Sequence, residues 1–235
     1  RPTPPERYGM FSLKYKKMTA ALGLLLGLYA LTGFIPAQAG AEAAEKPIVI
    51  VAFGDSLTAG YLLGPDEGFV PQLQKAINEG ATRPIAIRNA GVSGDTTSGG
   101  LSRLDWSIGS ETDAVILELG ANDALRGIDP AITRKNLVEM IETLQARHIK
   151  ILLVGMYAPP NLGADFGEGF NPIYPELAKK YGLPLYPFFL DGVTAVPGMT
   201  LADGMHPTPE GVAVMVKGIL PYVRDLASEI ASAAK

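Results

Sequence analysis

Four short polar segments carry the residue types that acyl transfer requires. Gly54-Asp55-Ser56-Leu57-Thr58 offers a serine hydroxyl directly after an apolar run. Asn89 to Thr97 contains Gly94, and Gly120-Ala121-Asn122-Asp123 contains a side-chain amide. Late in the chain stands Asp203-Gly204-Met205-His206-Pro207. A serine attacks a carbonyl once a base takes its proton, and a neutral imidazole serves as that base near pH 7. The imidazole in turn needs a partner that fixes its tautomer and stabilises the imidazolium. Asp203 lies three residues before His206, so its carboxylate can fold back to Nδ1 across one turn and leave Nε2 for Ser56. The developing oxyanion needs donors already aimed at it. Gly94 offers an N–H with no side chain in the way, Asn122 offers its amide, and the Ser56 N–H at the start of a helix is the natural third. The expected reaction is a two-step transfer through an acyl-enzyme on Ser56, with no cofactor.

Each of these residues also has an ordinary structural reading. A serine at a strand-to-helix turn is commonly a helix N-cap, and it is the company of the other three segments that favours chemistry at Ser56. The sequence holds two histidines. His148, at the end of a helical pattern, reads as a surface or C-cap residue, which leaves His206 as the base. Asp55 with Asp203 and His206 could be metal ligands, but a third strong ligand and an open position are not evident, so no metal is expected. Asp55 and Asp123 read as hydrogen-bonding supports for their loops. The sequence has no Gly-x-Ser-x-Gly elbow, no Walker loop and no G-x-G-x-x-G, which removes the α/β-hydrolase and nucleotide-binding readings.

These segments need a scaffold that brings them together. Pro47–Phe53 is a continuous apolar run rich in β-branched residues, as in a strand buried on both faces. Similar runs follow at Ile85–Ala90, Ala114–Leu119, Ile149–Gly155 and Leu183–Phe188. Between them lie helical patterns. Asp129-Pro130 reads as an N-cap with proline at the first helical position, followed by Leu137, Ile141 and Leu144 on one face. Thr208-Pro209 opens a last helix carrying Val212, Met215, Val216 and Ile219. Strands alternating with helices imply right-handed crossovers and a parallel sheet covered on both sides. The expected fold is α/β, a three-layer α/β/α sandwich with a roughly five-stranded parallel sheet. In such sheets ligands bind beyond the carboxyl ends of the strands, which is where the four segments fall.

In order and content the segments resemble those of the SGNH (GDSL-type) hydrolases. GDSLTAGY (54–61), SGDTTSGGLSRL (93–104), LELGANDALRG (117–127), IYPELAKKYGLPLYPFFL (173–190) and DGMHP (203–207) are similar to the bacterial periplasmic arylesterase, thioesterase and lysophospholipase group. The likeness covers residues 47–225. It implies a flavodoxin-like fold, Ser56 as nucleophile, Asp203 and His206 as its partners, and Ser56, Gly94 and Asn122 around the oxyanion. It also implies carboxylic ester hydrolysis, on aryl or short-to-medium acyl esters, with thioesters and lysophospholipids as further small-molecule or lipid substrates. The segment 157–170, rich in Pro and Gly, reads as a long loop on the same rim, and the resemblance makes it an acyl-binding loop. Leu57, Tyr157, Leu162 and Pro207 are the expected apolar contacts to substrate. Two other classes share this scaffold. One is an acyltransferase with the same acyl-enzyme, the other a non-catalytic lipid- or glycan-binding protein.

Composition sets the remaining bounds. Of 235 residues 47% are hydrophobic and 19% charged, which suits a globular chain. Lys14, Lys16 and Lys17, an apolar stretch from Thr19 to Ile35 and Ala37-Gln38-Ala39 form the pattern of a secretory signal peptide. Residues 1–39 are therefore read as an N-terminal extension plus signal, with Met10 or Met18 as the start. Residues 40–235 are read as a single hydrolase domain, periplasmic or secreted after cleavage near Ala39. The apolar run is marginal for a bilayer span of about 20 residues, so no stable membrane insertion is expected. The sequence has no cysteine, which excludes disulfides, thiolate catalysis and a lipoprotein anchor. Residues 40–235 hold 15 basic and 23 acidic side chains, a net charge of −8. That balance excludes nucleic acid as a partner. A monomer is expected.

Overall fold

The computed structural model describes residues 45–233. The expected extension and signal peptide over residues 1–39 lie outside the described residues. The first apolar run becomes β1 (Ile48–Gly54), every residue of it buried. A short helix α1 (Ser56–Ala59) and then α2 (Phe69–Asn78) lead to β2 (Ile85–Gly91). Next come α3 (Thr97–Ser107), β3 (Ala114–Leu117), α4 (Ala121–Leu125), α5 (Pro130–Ala146) and β4 (Lys150–Val154). The chain then forms α6 (Ala164–Phe170), α7 (Ile173–Tyr181), β5 (Leu185–Tyr186) and the long α8 (Pro209–Ala233).

The five strands pair in parallel in the order β2-β1-β3-β4-β5. This is a doubly wound, flavodoxin-like order. Connections leave β1 toward β2 and then reverse toward β3, so right-handed crossovers place helices on both faces. α2 packs on α8, and α3 on α5. The described residues form one compact unit, with Phe53, Ile116, Leu152, Leu137 and Ile219 among its fully buried side chains. The reversal of direction between β1 and β3 opens a crevice at their carboxyl ends. Ser56 follows one of these strands and Asn122 the other.

The structure departs from expectation in three places. β5 holds two residues rather than six, because Pro184 and Pro187 bracket it and proline has no N–H for the ladder. β3 ends at Leu117, where Glu118 turns its side chain toward β1. The stretch 157–170 is not a plain loop: Pro160–Leu162 form a 3₁₀ turn and α6 follows. Gly163, at φ +89°, makes the turn into that helix. Phe170 is fully buried, and Phe166 stacks on it. Burial of the Phe170 ring, with Phe166 partly buried against it, outweighs the poor helix propensity of Gly167 and Gly169.

Candidate active site

Ser56 is the first residue of α1, at the turn out of β1. Asp55 caps that helix by accepting the Leu57 N–H at 3.0 Å. The capping role that sequence gives to a serine here thus belongs to its neighbour, and the Ser56 hydroxyl is left for another partner. Its Oγ lies 2.9 Å from His206 Nε2. His206 Nδ1 lies 2.6 Å from Asp203 Oδ2, and the other carboxylate oxygen accepts the N–H groups of Met205 (2.9 Å) and His206 (3.0 Å). The fold-back across one turn is made by Gly204 at φ +71°. Two main-chain bonds hold the turn in place, Leu201 N–H to His206 O and Thr208 N–H to Met199 O. The His206 N–H, then that of Met205, lowers the Asp203 carboxyl from 3.8 to about 2. Tyr61, on the chain leaving α1, lays its ring 4.6 Å from the imidazole.

Asn122 stands in the first turn of α4 and donates from Nδ2 to Asp55 Oδ2 at 3.1 Å. One amide proton remains to point elsewhere. Gly120 precedes that helix at φ +125°, where a β-carbon would meet the Tyr174 hydroxyl at 2.1 Å. Gly94 lies on the segment after β2 at φ +80°, and its carbonyl accepts from Arg126 Nη2 at 2.7 Å. That bond brings its loop against the end of α4. Asp123 ties three elements together, accepting from the Thr97 N–H at 2.8 Å, from Thr97 Oγ1 and from Thr133 Oγ1. Asp55 and Asp123 both support their loops, as their positions imply. Burial pushes the Asp55 carboxyl up from 3.8 to about 6, offset in part by the Leu57 N–H, the His206 charge and the Asn122 amide.

A cavity of about 390 Å³ opens beside Ser56, His206 and Asn122. Leu57 and Tyr157 line it, as expected. Leu162 and Pro207 do not. Leu162 closes the 3₁₀ turn beyond the cavity, and Pro207 is buried where its residue bridges to Thr200 and packs against Gly211. Gly94 also lies outside the cavity lining. The lining that sequence reasoning missed includes Leu125, Met156, Phe188, Leu190 and Met205. Phe188 closes the run read as the fifth strand and Leu190 lies just beyond it, although Pro187 signals that the strand ends before both.

Two further side chains shape the site without having been singled out. Arg103 on α3 donates to Gly54 O (2.9 Å), Ala90 O (2.8 Å) and Asp95 Oδ2 (2.7 Å), pinning the carboxyl ends of β1 and β2. Glu118 reaches the Asp55 N–H and the Thr58 hydroxyl. Among the described residues no three His, Cys, Asp or Glu side chains form a group that could hold a metal ion. A hydroxyl, an imidazole and a carboxylate in line, beside an apolar cavity, can perform nucleophilic acyl transfer.

Comparison with known proteins agrees with this chemistry. Residues 52–214 match the model of the GDSL-like Lipase/Acylhydrolase family. The chain is 38% identical over 187 residues to esterase TesA of Pseudomonas aeruginosa, covering 79% of this chain and 91% of that one. It is 36% identical over 187 residues to an arylesterase of Vibrio mimicus, covering 79% and 92%. The crystal structure of AlinE4, an SGNH-hydrolase family esterase, superposes with a TM-score of 0.64 at 45% identity, covering 77% of this chain and 96% of that one.

Proposed function

The chain belongs to the GDSL-like lipase/acylhydrolase family and is a carboxylic ester hydrolase, and on that premise we propose that Ser56 is the nucleophile, His206 the base and Asp203 the group that orients it. One observation carries this assignment: Ser56 Oγ, the two nitrogens of His206 and Asp203 lie in one chain of contacts at 2.9 and 2.6 Å. Ser56 attacks the ester carbonyl as His206 takes its proton. The oxyanion is received by the N–H groups of Ser56 and Gly94 and by the free amide proton of Asn122. His206 then protonates the leaving alcohol and activates the water that releases the acid. No step calls for a cofactor, and every group comes from one chain, which supports a monomer as the working unit.

The cavity points to the substrate. Leu57, Met156, Phe188 and Leu190 give the acyl side an apolar wall, while Leu125, Tyr157 and Met205 stand half-exposed at the mouth. Short-to-medium acyl esters and aryl esters suit that wall, and thioesters or lysophospholipids present the same carbonyl and chain. Residues 40–235 act as one hydrolase domain. The charge, apolar run and small residues over 14–39 support export to the periplasm or medium. Among the described residues no helix is long and apolar enough to cross a membrane.

Hydrolysis of p-nitrophenyl esters from acetate to palmitate tests the assignment. The Ser56→Ala variant is expected to lose roughly four to six orders of magnitude in kcat, and a fluorophosphonate is expected to label the parent chain and not the variant. Turnover and labelling that survive in Ser56→Ala would show that another residue is the nucleophile.

A further inference from the structure

Beneath the nucleophile turn lies a carboxyl group that this scheme leaves unused. Glu118 follows β3, is 1% exposed and directs its side chain at the end of β1. Oε2 accepts from two residues that bracket Ser56: the Asp55 N–H at 3.2 Å and the Thr58 hydroxyl at 2.8 Å. The Glu118 N–H donates to the Phe53 carbonyl at 2.9 Å, so main chain and side chain grip the same turn. The fit is close. A β-carbon on Gly54 would fall 2.4 Å from Oε2, which requires glycine there. Oε1, in contrast, is buried without a partner.

We propose that Glu118 is a positioning residue for the nucleophile turn, holding Asp55 and Thr58 so that the N–H and Oγ of Ser56 face the reacting carbonyl. The inference rests on the reading of Ser56 as nucleophile. Glu118 does this work as a neutral acid. An ionised carboxylate would leave a charged oxygen buried and unpaired, whereas a protonated one leaves a neutral polar atom there, at a smaller cost. Asp55 is the acidic neighbour, and Tyr174 and Asp123 belong to the same buried cluster. Two adjoining carboxyls in such a place hold one proton between them. Burial, then the charge on Asp55, lifts the Glu118 carboxyl well above the usual range, so the proton falls to Glu118. Asp55 keeps the charge with which it accepts from Asn122.

Glu118→Gln and Glu118→Leu, made in the full chain, test this. Glutamine keeps an acceptor oxygen and carries no charge, while leucine fills the space with no acceptor. The leucine variant is expected to lose about a hundredfold in kcat with KM within about twofold, as a displaced nucleophile does. The glutamine variant is expected to restore kcat to within about threefold of the parent. At neutral pH the infrared spectrum of the parent is expected to hold the C=O stretch of a protonated carboxyl that the glutamine variant lacks. A folded leucine variant with parental kcat, a glutamine variant as slow as the leucine one, or no such band would each overturn the proposal. If Glu118→Leu does not fold, Thr58→Val replaces it: a loss of about tenfold in kcat at unchanged KM supports the role, and parental kcat refutes it. An active Ser56→Ala variant overturns the nucleophile assignment instead. An inactive one beside an unimpaired Glu118→Leu overturns the positioning role alone.

Discussion

Asp203 and Tyr61 act on the same imidazole from two sides. Asp203 Oδ1 accepts two main-chain N–H groups, which favours its charged form and keeps it near 2. It therefore stays ionised throughout any ordinary working pH and always has a negative oxygen to offer Nδ1. Tyr61 meets the ring differently. The residue is 42% exposed, and its ring lies tilted by 44° at 4.6 Å from the imidazole. When His206 takes the Ser56 proton it becomes a cation, and an aromatic face at that distance stabilises a cation by roughly 0.5–1 kcal/mol at an exposed site. Tyr61→Ala is thus expected to lower kcat by about two- to fivefold. Tyr61→Phe keeps the face and should match the parent. Steady-state kinetics on one p-nitrophenyl ester checks both, and a Phe variant as slow as the Ala variant would assign the effect to the phenol hydroxyl instead.

Arg103 joins elements rather than reacting groups. From α3 it reaches the last carbonyl of β1 through Gly54, Ala90 on β2 and the carboxylate of Asp95, and its guanidinium lies 4.0 Å over the Phe53 ring. Arg103 and Asp95 side chains are 8% and 11% exposed. Removing one partner of so buried a pair leaves an uncompensated charge, at a cost of about 3–5 kcal/mol. Arg103→Leu is expected to show that loss in urea unfolding, and Arg103→Lys a smaller part of it, because an ammonium still balances Asp95 but lacks the planar fork that spans all three acceptors. Nothing in the sequence around Arg103 announced this, since its partners stand 8, 13 and 49 residues away. The strands were legible because a parallel sheet buried on both faces writes continuous apolar runs. The contact between Asp203 and His206 was legible because the two carry their spacing within one turn. Glu118 looked like one acid at the end of a strand, and only pairing with a residue some 60 positions earlier gives it a role. The cavity wall was partly misassigned for a similar reason. Leu162 and Pro207 are near the rim in sequence, but backbone direction after Pro187 brings Phe188 and Leu190 to it.

Across the whole molecule, the reacting edge of the sheet is built at a cost to stability, and that cost has a measurable pH signature. Asp55 lies fully buried between β1 and α4, and burial raises its carboxyl from 3.8 to about 6. The folded state thus binds a proton more tightly than the unfolded state does. By linkage, the contribution of Asp55 is fully present below pH 4 and is lost as pH rises to 6, an effect on the order of 3 kcal/mol. Asp203 has the opposite sign. Its carboxyl is held down at about 2, so its contribution is present above pH 4 and lost as pH falls through 2. Water screens Asp203, whose side chain is 31% exposed, and its share is correspondingly small. With respect to these two groups stability peaks near pH 4 and then declines toward neutrality, where the enzyme needs Asp55 ionised to accept from Asn122. Asp55→Asn removes the titration while keeping an acceptor for the Leu57 N–H. Urea unfolding at pH 4, 5, 6 and 7 should therefore show the parent losing stability relative to this variant between pH 4 and 6, and steady-state kinetics at pH 7, where the parent's Asp55 is ionised, should show the variant to be the slower enzyme. A constant difference across that range would mean that Asp55 carries its charge in the folded state at no cost, and that the site is not built against stability.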